Sequence, residues 1–215
     1  GRTWTGNTDT TGAQLRCFNA DVTGTVINIV DCSTKVNGVS GGKIVGGNKA
    51  SNGGAIYIST GGAVRIYDGT IQGGNVGSAG KGGSIYLDRG ELGMYGGVIT
   101  GGRAFQGGNV YMNSDLSRFN LSKGVVSNGL ATGAAKCRVG NIYVVKGTLN
   151  LGVAGEPESD ELNNSVRVID GEAFYSNTDK TDVNCGNIWV TSNATMNMYY
   201  GTISGGIASR TQASV

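Results

Sequence analysis

Residues 53–58 have the sequence GGAIYI, and close variants recur as GGSIYL from residue 82, GGNVYM from 107, GNIYVV from 140 and GNIWVT from 186. The aliphatic residues that follow the glycines are Ile56, Ile85, Val110, Ile142 and Ile188, at spacings of 29, 25, 32 and 46 residues. Each copy alternates its residue types with a period of two, which predicts a strand rather than a helix. Recurrence at such spacings indicates a repeat architecture.

Each unit contains two further short apolar runs. The second runs are AVRIY, ELGMY, RFNL, TLNL and TMNMY, and the third runs are GTIQGG, GVITGG, GVVSNG and GTISGG. Three short strands separated by turns predict one coil of a parallel β-helix, in which each strand pairs with its equivalent in the next coil. The sequence therefore predicts an all-β solenoid of about six three-strand coils.

The alternation within each run predicts which side chains face the core. For the first strands these are Ile56, Ile58, Ile85, Leu87, Val110, Met112, Ile142, Val144, Ile188 and Val190. For the second strands they are Val64, Ile66, Leu92, Met94, Phe119, Leu121, Leu149, Leu151, Met196 and Met198, and for the third strands Ile71, Ile99, Val126 and Ile203.

The repeats predict a single domain that spans residues 1–215. Residues 1–23 are predicted to form an N-terminal cap and a first strand, the latter in AQLRCF from Ala13. Residues 24–206 are predicted to form the coils, with an insertion near residues 152–172. Residues 207–215 are predicted to be a C-terminal end that is either truncated or an assembly joint, because no cap sequence follows the last third run.

Composition narrows the function classes. The chain has 40 glycines and 1 proline among 215 residues, 38% hydrophobic residues, 15% charged residues and a net charge of +2. No basic cluster supports nucleic-acid binding, and no apolar run is long enough for a transmembrane helix. Histidine is absent, which removes the commonest general base and metal ligand. We expect no cofactor, no metal and no enzymatic activity.

Four cysteines and three sequons are candidate modification sites. Cys137 and Cys185 each precede a G-N-I start in successive units, and Cys17 and Cys32 lie in the first unit. We expect Cys17–Cys32 and Cys137–Cys185 disulfides, with buried free thiols as the alternative. Asn-x-Ser/Thr sequons at Asn120, Asn163 and Asn193 are possible N-glycosylation sites.

The residue at the centre of every first run is aromatic: Tyr57, Tyr86, Tyr111, Tyr143 and Trp189. We expect these side chains to face outward and to stack as a contact ladder that could lie against sugar rings or another protein. The alternative is ordinary strand preference, since aromatic residues suit strands and stack on like neighbours. Asn120, Asn150 and Asn197 occupy the outward position of the second runs and predict a short amide ladder with a structural role.

The charged residues do not predict a catalytic or calcium-binding site. Arg65, Asp68, Asp88 and Arg89 are predicted to lie near turns on a solvated face. The acidic insertion contains Glu156, Glu158, Asp160 and Glu161, but without a known calcium-binding spacing, so a solvated loop is the better interpretation.

The turn-and-strand segments IVGGNKASNGGAIY from Ile44, IQGGNVGSAGKGGSIY from Ile71 and ITGGRAFQGGNVY from Ile99 resemble the GGA(I/L/V) repeats of polymorphic outer-membrane proteins and related β-helical adhesins. That family also has a Phe-x-x-Asn motif, which only FYSN at residues 174–177 matches here. The resemblance implies a right-handed β-helix displayed outside the cell, often for adhesion.

Repetition without a reactive constellation predicts a non-catalytic extracellular or cell-surface protein. The first hypothesis is a structural subunit that self-assembles, end to end or laterally, into a filament or surface layer. The alternative is a cell-surface adhesin or glycan-binding stalk that contacts glycans or a host surface. A polysaccharide lyase or hydrolase lacks paired outward carboxylates, and an ice-binding protein lacks ranks of threonine, so both are less favoured.

Overall fold

The computed structural model describes residues 3–5, 18–20, 22–31, 41–48, 51–77, 79–133, 138–156, 165–175 and 185–209. Within these ranges the chain forms strands and no helix. The strands in the first half are β1 (Thr3–Thr5), β2 (Phe18–Ala20), β3 (Val26–Ile29), β4 (Lys43–Val45), β5 (Ile56–Ser59), β6 (Ala63–Ile66), β7 (Thr70–Gln72), β8 (Ile85–Asp88), β9 (Glu91–Thr100) and β10 (Arg103–Ala104). They are followed by β11 (Val110–Ser127), β12 (Leu130–Gly133), β13 (Ile142–Leu151), β14 (Val166–Ile169), β15 (Glu172–Tyr175), β16 (Ile188–Val190), β17 (Ala194–Met198), β18 (Thr202–Ser204) and β19 (Ile207–Ser209).

The first strands form one parallel ladder in which each pairs with its equivalent one unit away. The order is β2, β5, β8, the start of β11, the start of β13 and β16. Its register places Ile56, Ile85, Val110, Ile142 and Ile188 in one column, as the sequence alignment predicted. The strands therefore keep one register although the turns between them differ in length.

The second and third strands repeat this arrangement. The second ladder runs through β3, β6, the start of β9, the middle of β11, the end of β13 and β17. The third runs through β1, β4, β7, the end of β9, the end of β11, β14 and β18. The neighbouring strands described in these ladders all run parallel, which confirms an all-β, parallel architecture.

One hydrophobic cluster joins the three ladders. Ile85 from a first strand, Leu92 from a second and Ile99 from a third are all fully buried in it. The predicted core residues of the units before the last one are buried there too, because their alternation sends them to the same side. In the last unit Met198 and Ile203 are exposed instead, at 45% and 38%.

A fourth ladder was not predicted. The strands β10, β12, β15 and β19 form a separate parallel sheet, in which Ala104, Ala131, Ala173 and Ala208 share a column. Each unit after residue 100 therefore has four strands rather than the predicted three.

Two other boundaries differ from the prediction. The insertion near residues 152–172 contains β14 and the start of β15, and Val168 occupies the third-strand column between Val126 and Ile203. Residues 157–164 of the insertion lie outside the described residues. The predicted N-terminal cap contains β1, which pairs with β4. β2 includes Phe18, the last residue of AQLRCF, and residues 13–17 of that run lie outside the described residues.

The paired glycines before each first strand permit a close approach of backbones. The first of a pair, such as Gly107, has a φ of 63°, which few other residues adopt cheaply. A Cβ on the second, Gly108, would run into the carbonyl oxygen of Gly140 and the amide nitrogen of Leu130. Glycine is therefore required where successive units and the fourth strand meet.

We expect Phe119→Ala to lower the free energy of unfolding by about 3–5 kcal/mol, because the ring is fully buried and its loss leaves a cavity. Chemical denaturation followed by circular dichroism measures this change. Leu116→Ala is the matched control, because Leu116 is 69% exposed in the same strand, and it should change stability by less than about 0.5 kcal/mol. Equal effects of the two variants would contradict the assigned core.

Candidate functional site

The aromatic residues of the first strands form the predicted column, with a change of geometry halfway along. Tyr57, Tyr86 and Tyr111 stack nearly parallel, with centroid distances of 5.1 and 5.5 Å. Tyr111 and Tyr143 meet edge to face at 5.3 Å, and Tyr143 and Trp189 do so at 6.3 Å. Both arrangements are favourable for aromatic rings.

The expected open contact ladder is not present along the middle of this column. Tyr86, Tyr111 and Tyr143 are only 7%, 3% and 7% exposed, so their faces are not available to a sugar ring. Val139 and Cys185 pack against the aromatic cluster. Only the terminal members, Tyr57 and Trp189, are half-buried.

Two cations lie over this cluster. Lys81 Nζ is 4.9 Å from the centre of the Tyr111 ring, and the Arg138 guanidinium is 5.1 Å from that of Trp189. These contacts stabilise the column and cover it further.

Burial also changes the acidity of the tyrosines. Desolvation, with smaller contributions from Asp88 and Tyr57, raises the pKa of Tyr86 to about 12. Desolvation, with Tyr143 and Tyr86, raises the pKa of Tyr111 well above its usual range. Both hydroxyls therefore keep their protons at pH values where a free tyrosine ionises.

An exposed aromatic pair lies elsewhere, and the sequence analysis missed it. Tyr67 and Tyr95 stack with centroids 5.1 Å apart and are 44% and 40% exposed. Each is the last residue of a second run, in AVRIY and ELGMY, so their equivalent positions could have revealed the pair.

A buried ladder of asparagines is the most regular polar feature. Asn109, Asn141 and Asn187 each precede a first strand and are 0%, 0% and 6% exposed. Asn109 Nδ2 donates to Asn141 Oδ1 at 2.8 Å, and Asn141 Nδ2 donates to Asn187 Oδ1 at 2.8 Å. We call this the inner ladder.

Each inner-ladder asparagine also joins the turn to the end of its unit's third strand. Asn141 Oδ1 accepts the Gly129 N–H at 2.9 Å, and its Nδ2 donates to the Ile169 carbonyl at 2.8 Å. Asn109 and Asn187 repeat the pattern with other glycines and carbonyls. The signal in the sequence was the recurrent Asn before the first strand, in GGNVYM, GNIYVV and GNIWVT.

The predicted amide ladder on the second strands is confirmed, and we call it the outer ladder. Asn197 Nδ2 donates to Asn150 Oδ1 at 2.8 Å, and Asn150 Nδ2 donates to Asn120 Oδ1 at 2.7 Å. Asn120 Nδ2 in turn donates to Glu91 Oε1 at 3.1 Å. Donors therefore point toward earlier units here and toward later units in the inner ladder.

The predicted modification sites are placed unevenly. Asn120 is half-buried and engaged in the outer ladder, Asn193 is exposed in a turn, and Asn163 lies outside the described residues. Glycosylation stays a prediction at these sites.

Cys185 carries a free thiol, whose Sγ lies 2.8 Å from the Ile188 carbonyl oxygen. Its expected partner Cys137, and both Cys17 and Cys32, lie outside the described residues. Because the Cys185 thiol is free, the expected Cys137–Cys185 disulfide is not present in the structure. The Cys17–Cys32 pairing stays a prediction.

The described charged residues show no concentrated site. Arg65, Asp68, Asp88 and Arg89 are half-buried or exposed on separate turns and strands, as expected for a solvated face. Lys146 and Asp115 form an exposed ion pair at 3.3 Å. Among the residues that the structure describes, no group of three or more potential metal ligands occurs.

The strands of the last unit form an edge that other described strands do not cover, which we call the C-terminal edge. It comprises β16, β17, β18 and β19. Met198 shares a column with the fully buried Leu151, and Ile203 shares one with the fully buried Val168, yet both are exposed. Residues 185–209 contain no Asp, Glu, Lys or Arg.

Comparison with known proteins gives no match among family models, curated proteins or solved structures. No helix long and apolar enough to cross a membrane occurs in the described parts of the chain.

We expect Asn141→Leu to lower the free energy of unfolding by at least about 3 kcal/mol, because it removes four buried hydrogen bonds and leaves the Gly129 N–H without a partner. Urea denaturation measures the effect. Asn193→Leu, at an exposed turn position, is the control and should stay within about 0.5 kcal/mol of the wild type. A variant at residue 141 as stable as that control would contradict the role of the inner ladder.

We expect the free energy of unfolding to fall as the pH rises above about 10. The unfolded chain releases tyrosine protons near pH 10, whereas Tyr86 and Tyr111 retain theirs in the folded chain, so the stabilisation is complete below pH 10 and is lost above it. Denaturation at a series of pH values should show a shallower decline for the double variant Tyr86→Phe and Tyr111→Phe. The control Tyr199→Phe removes the hydroxyl of an exposed tyrosine, and an equal decline in all three proteins would contradict this assignment.

Proposed function

We propose that this chain is a right-handed parallel β-helix that acts as a non-catalytic, extracellular structural subunit and self-assembles through its C-terminal edge. The helical winding is supported by the pairing pattern, because the chain passes through the ladders in the same order and returns to each one unit further on. The shared apolar core of the three main ladders supports it too. Location outside the cell follows from the resemblance to surface-displayed β-helices.

The observation that carries the self-assembly is the exposure of core-type residues at the C-terminal edge. Met198 and Ile203 occupy columns whose other described members in the middle units are fully buried. Covering them with another strand would remove apolar surface from water and satisfy the unpaired backbone groups of the edge.

The composition of the C-terminal edge also supports self-assembly. Natural sheet edges are commonly protected from association by charged side chains, prolines or bulges. Residues 185–209 contain neither a charged residue nor a proline. The opposite end of the chain is similar, since residues 22–30 are also uncharged and Val22, Val26 and Val30 are exposed. An uncharged partner edge, as supplied by a second copy of this chain, fits such a surface better than a charged partner.

The test is the oligomeric state of the 215-residue chain. Light scattering coupled to size-exclusion chromatography should show mass increasing with concentration, and negative-stain microscopy should show ordered assemblies. Met198→Lys and Ile203→Lys should each weaken association by about a hundredfold or more, because an unpaired charge would be buried at the junction. Leu116→Lys, at an exposed site away from the edge, should associate like the wild type.

A wild-type chain that stays monomeric at all accessible concentrations would overturn the proposal. The second candidate, a glycan-binding adhesin, would then be favoured by the exposed Tyr67–Tyr95 stack, whose ring faces suit a sugar. Glycan-array binding that is lost in Tyr67→Ala and Tyr95→Ala would identify that function.

A further inference from the structure

The outer ladder stops at the C-terminal edge with an acceptor unused. Asn197 donates its amide to Asn150, and among the described residues its Oδ1 accepts no hydrogen bond. In the preceding two members the same oxygen accepts from the next asparagine along the chain. The ladder is thus shaped to accept one more donor in the same column.

The other end of the same column carries such a donor. The register of the second strands places Asn28, Arg65 and Gly93 in line with Asn120, Asn150 and Asn197. Asn28 is exposed in β3, at the opposite end of the molecule. Its neighbour Arg65 has only donors, so Asn28 can accept from Arg65 with its oxygen and offer its amide hydrogens outward. This polarity matches that of the outer ladder.

We infer that the partner of the C-terminal edge is the edge formed by β2 and β3 of a second copy, which we call the N-terminal edge. It docks parallel, so that Asn28 of the second copy donates to Asn197 Oδ1. The inference rests on the proposed self-assembly and adds its partner surface and its register. Docked in this way, the outer ladder gains Asn28 of the second copy as one further member.

The apolar positions beside the two asparagines agree with this register. With Asn28 opposite Asn197, Ile27 lies opposite Met196 and Ile29 opposite Met198. Ile27, Ile29 and Met196 are half-buried and Met198 is exposed, so the junction would complete their burial. In the inner ladder the position matching Asn187 is Cys17, which lies outside the described residues.

The same register has a consequence for β1. The strand β18 of one copy would lie against β4 of the next, and β1 already occupies that position within each chain. The two strands are alike, since residues 3–6 have the sequence TWTG and residues 202–205 have TISG. β1 therefore acts as a cap that the β18 strand of a neighbouring copy replaces.

The test compares two double variants of the full chain with the single variant Asn197→Lys, using light scattering and microscopy. Asn197→Lys keeps a donor toward Asn150 but offers no acceptor, so assembly should weaken at least about tenfold. Adding Asn28→Asp places opposite charges across each junction and should restore assembly. Adding Asn28→Lys places like charges there and should weaken assembly further.

If the two double variants assemble equally, the Asn28–Asn197 register is wrong even though self-assembly stands. If the wild type does not assemble, the proposed function fails and this inference fails with it. Circular dichroism of each variant verifies folding. Trp4→Asp tests the cap, because Trp4 is the register partner of Ile44 and aspartate is unfavourable in a strand, so the change should release β1. Assembly at lower concentration supports strand replacement, and unchanged assembly overturns it.

Discussion

Parallel pairing between each strand and its equivalent one unit away is the constraint on which the rest of this structure depends. Parallel strands place equivalent residues side by side, so each column must hold side chains that tolerate their own kind as neighbours. Aliphatic residues do so by packing, tyrosines by stacking, and asparagines by passing a hydrogen bond along the row. The aliphatic, aromatic and amide columns of this chain each meet the requirement that like side chains lie next to one another.

The close spacing of paired strands restricts the residues of the turns even more than those of the strands. At the start of β11, the backbones of the next unit and of β12 approach so closely that Gly108 has no room for a side chain. The inner ladder lies in this corner and satisfies turn amides that would otherwise be buried without partners. It also gives the third-strand carbonyls of Ser127 and Ile169 a second donor. Glycine therefore allows the backbones to come close together in this corner, and asparagine supplies the hydrogen bonds that the buried backbone groups need.

These rules explain which features were visible in the sequence. The alternation around Ile56, Ile85 and Val110 predicted the first-strand register because burial on one face leaves no freedom to slip. The fourth ladder was missed because Ala104 and Ala131 give short strands with little alternation. β14 was missed because Val166 stands where the other third runs have their leading glycine. The burial of Tyr111 depends on residues such as Lys81 and Val139, which local patterning cannot place beside it.

The chain length between paired strands varies widely while their register does not. Ile85 and Val110 are register neighbours across 25 residues, and Ile142 and Ile188 are register neighbours across 46. Because loop closure costs grow only slowly with length, a corner can be lengthened or shortened without disturbing the ladders. The corners of neighbouring units can therefore change separately in length and sequence during evolution. The strands and the core can stay the same while the surface formed by the corners changes.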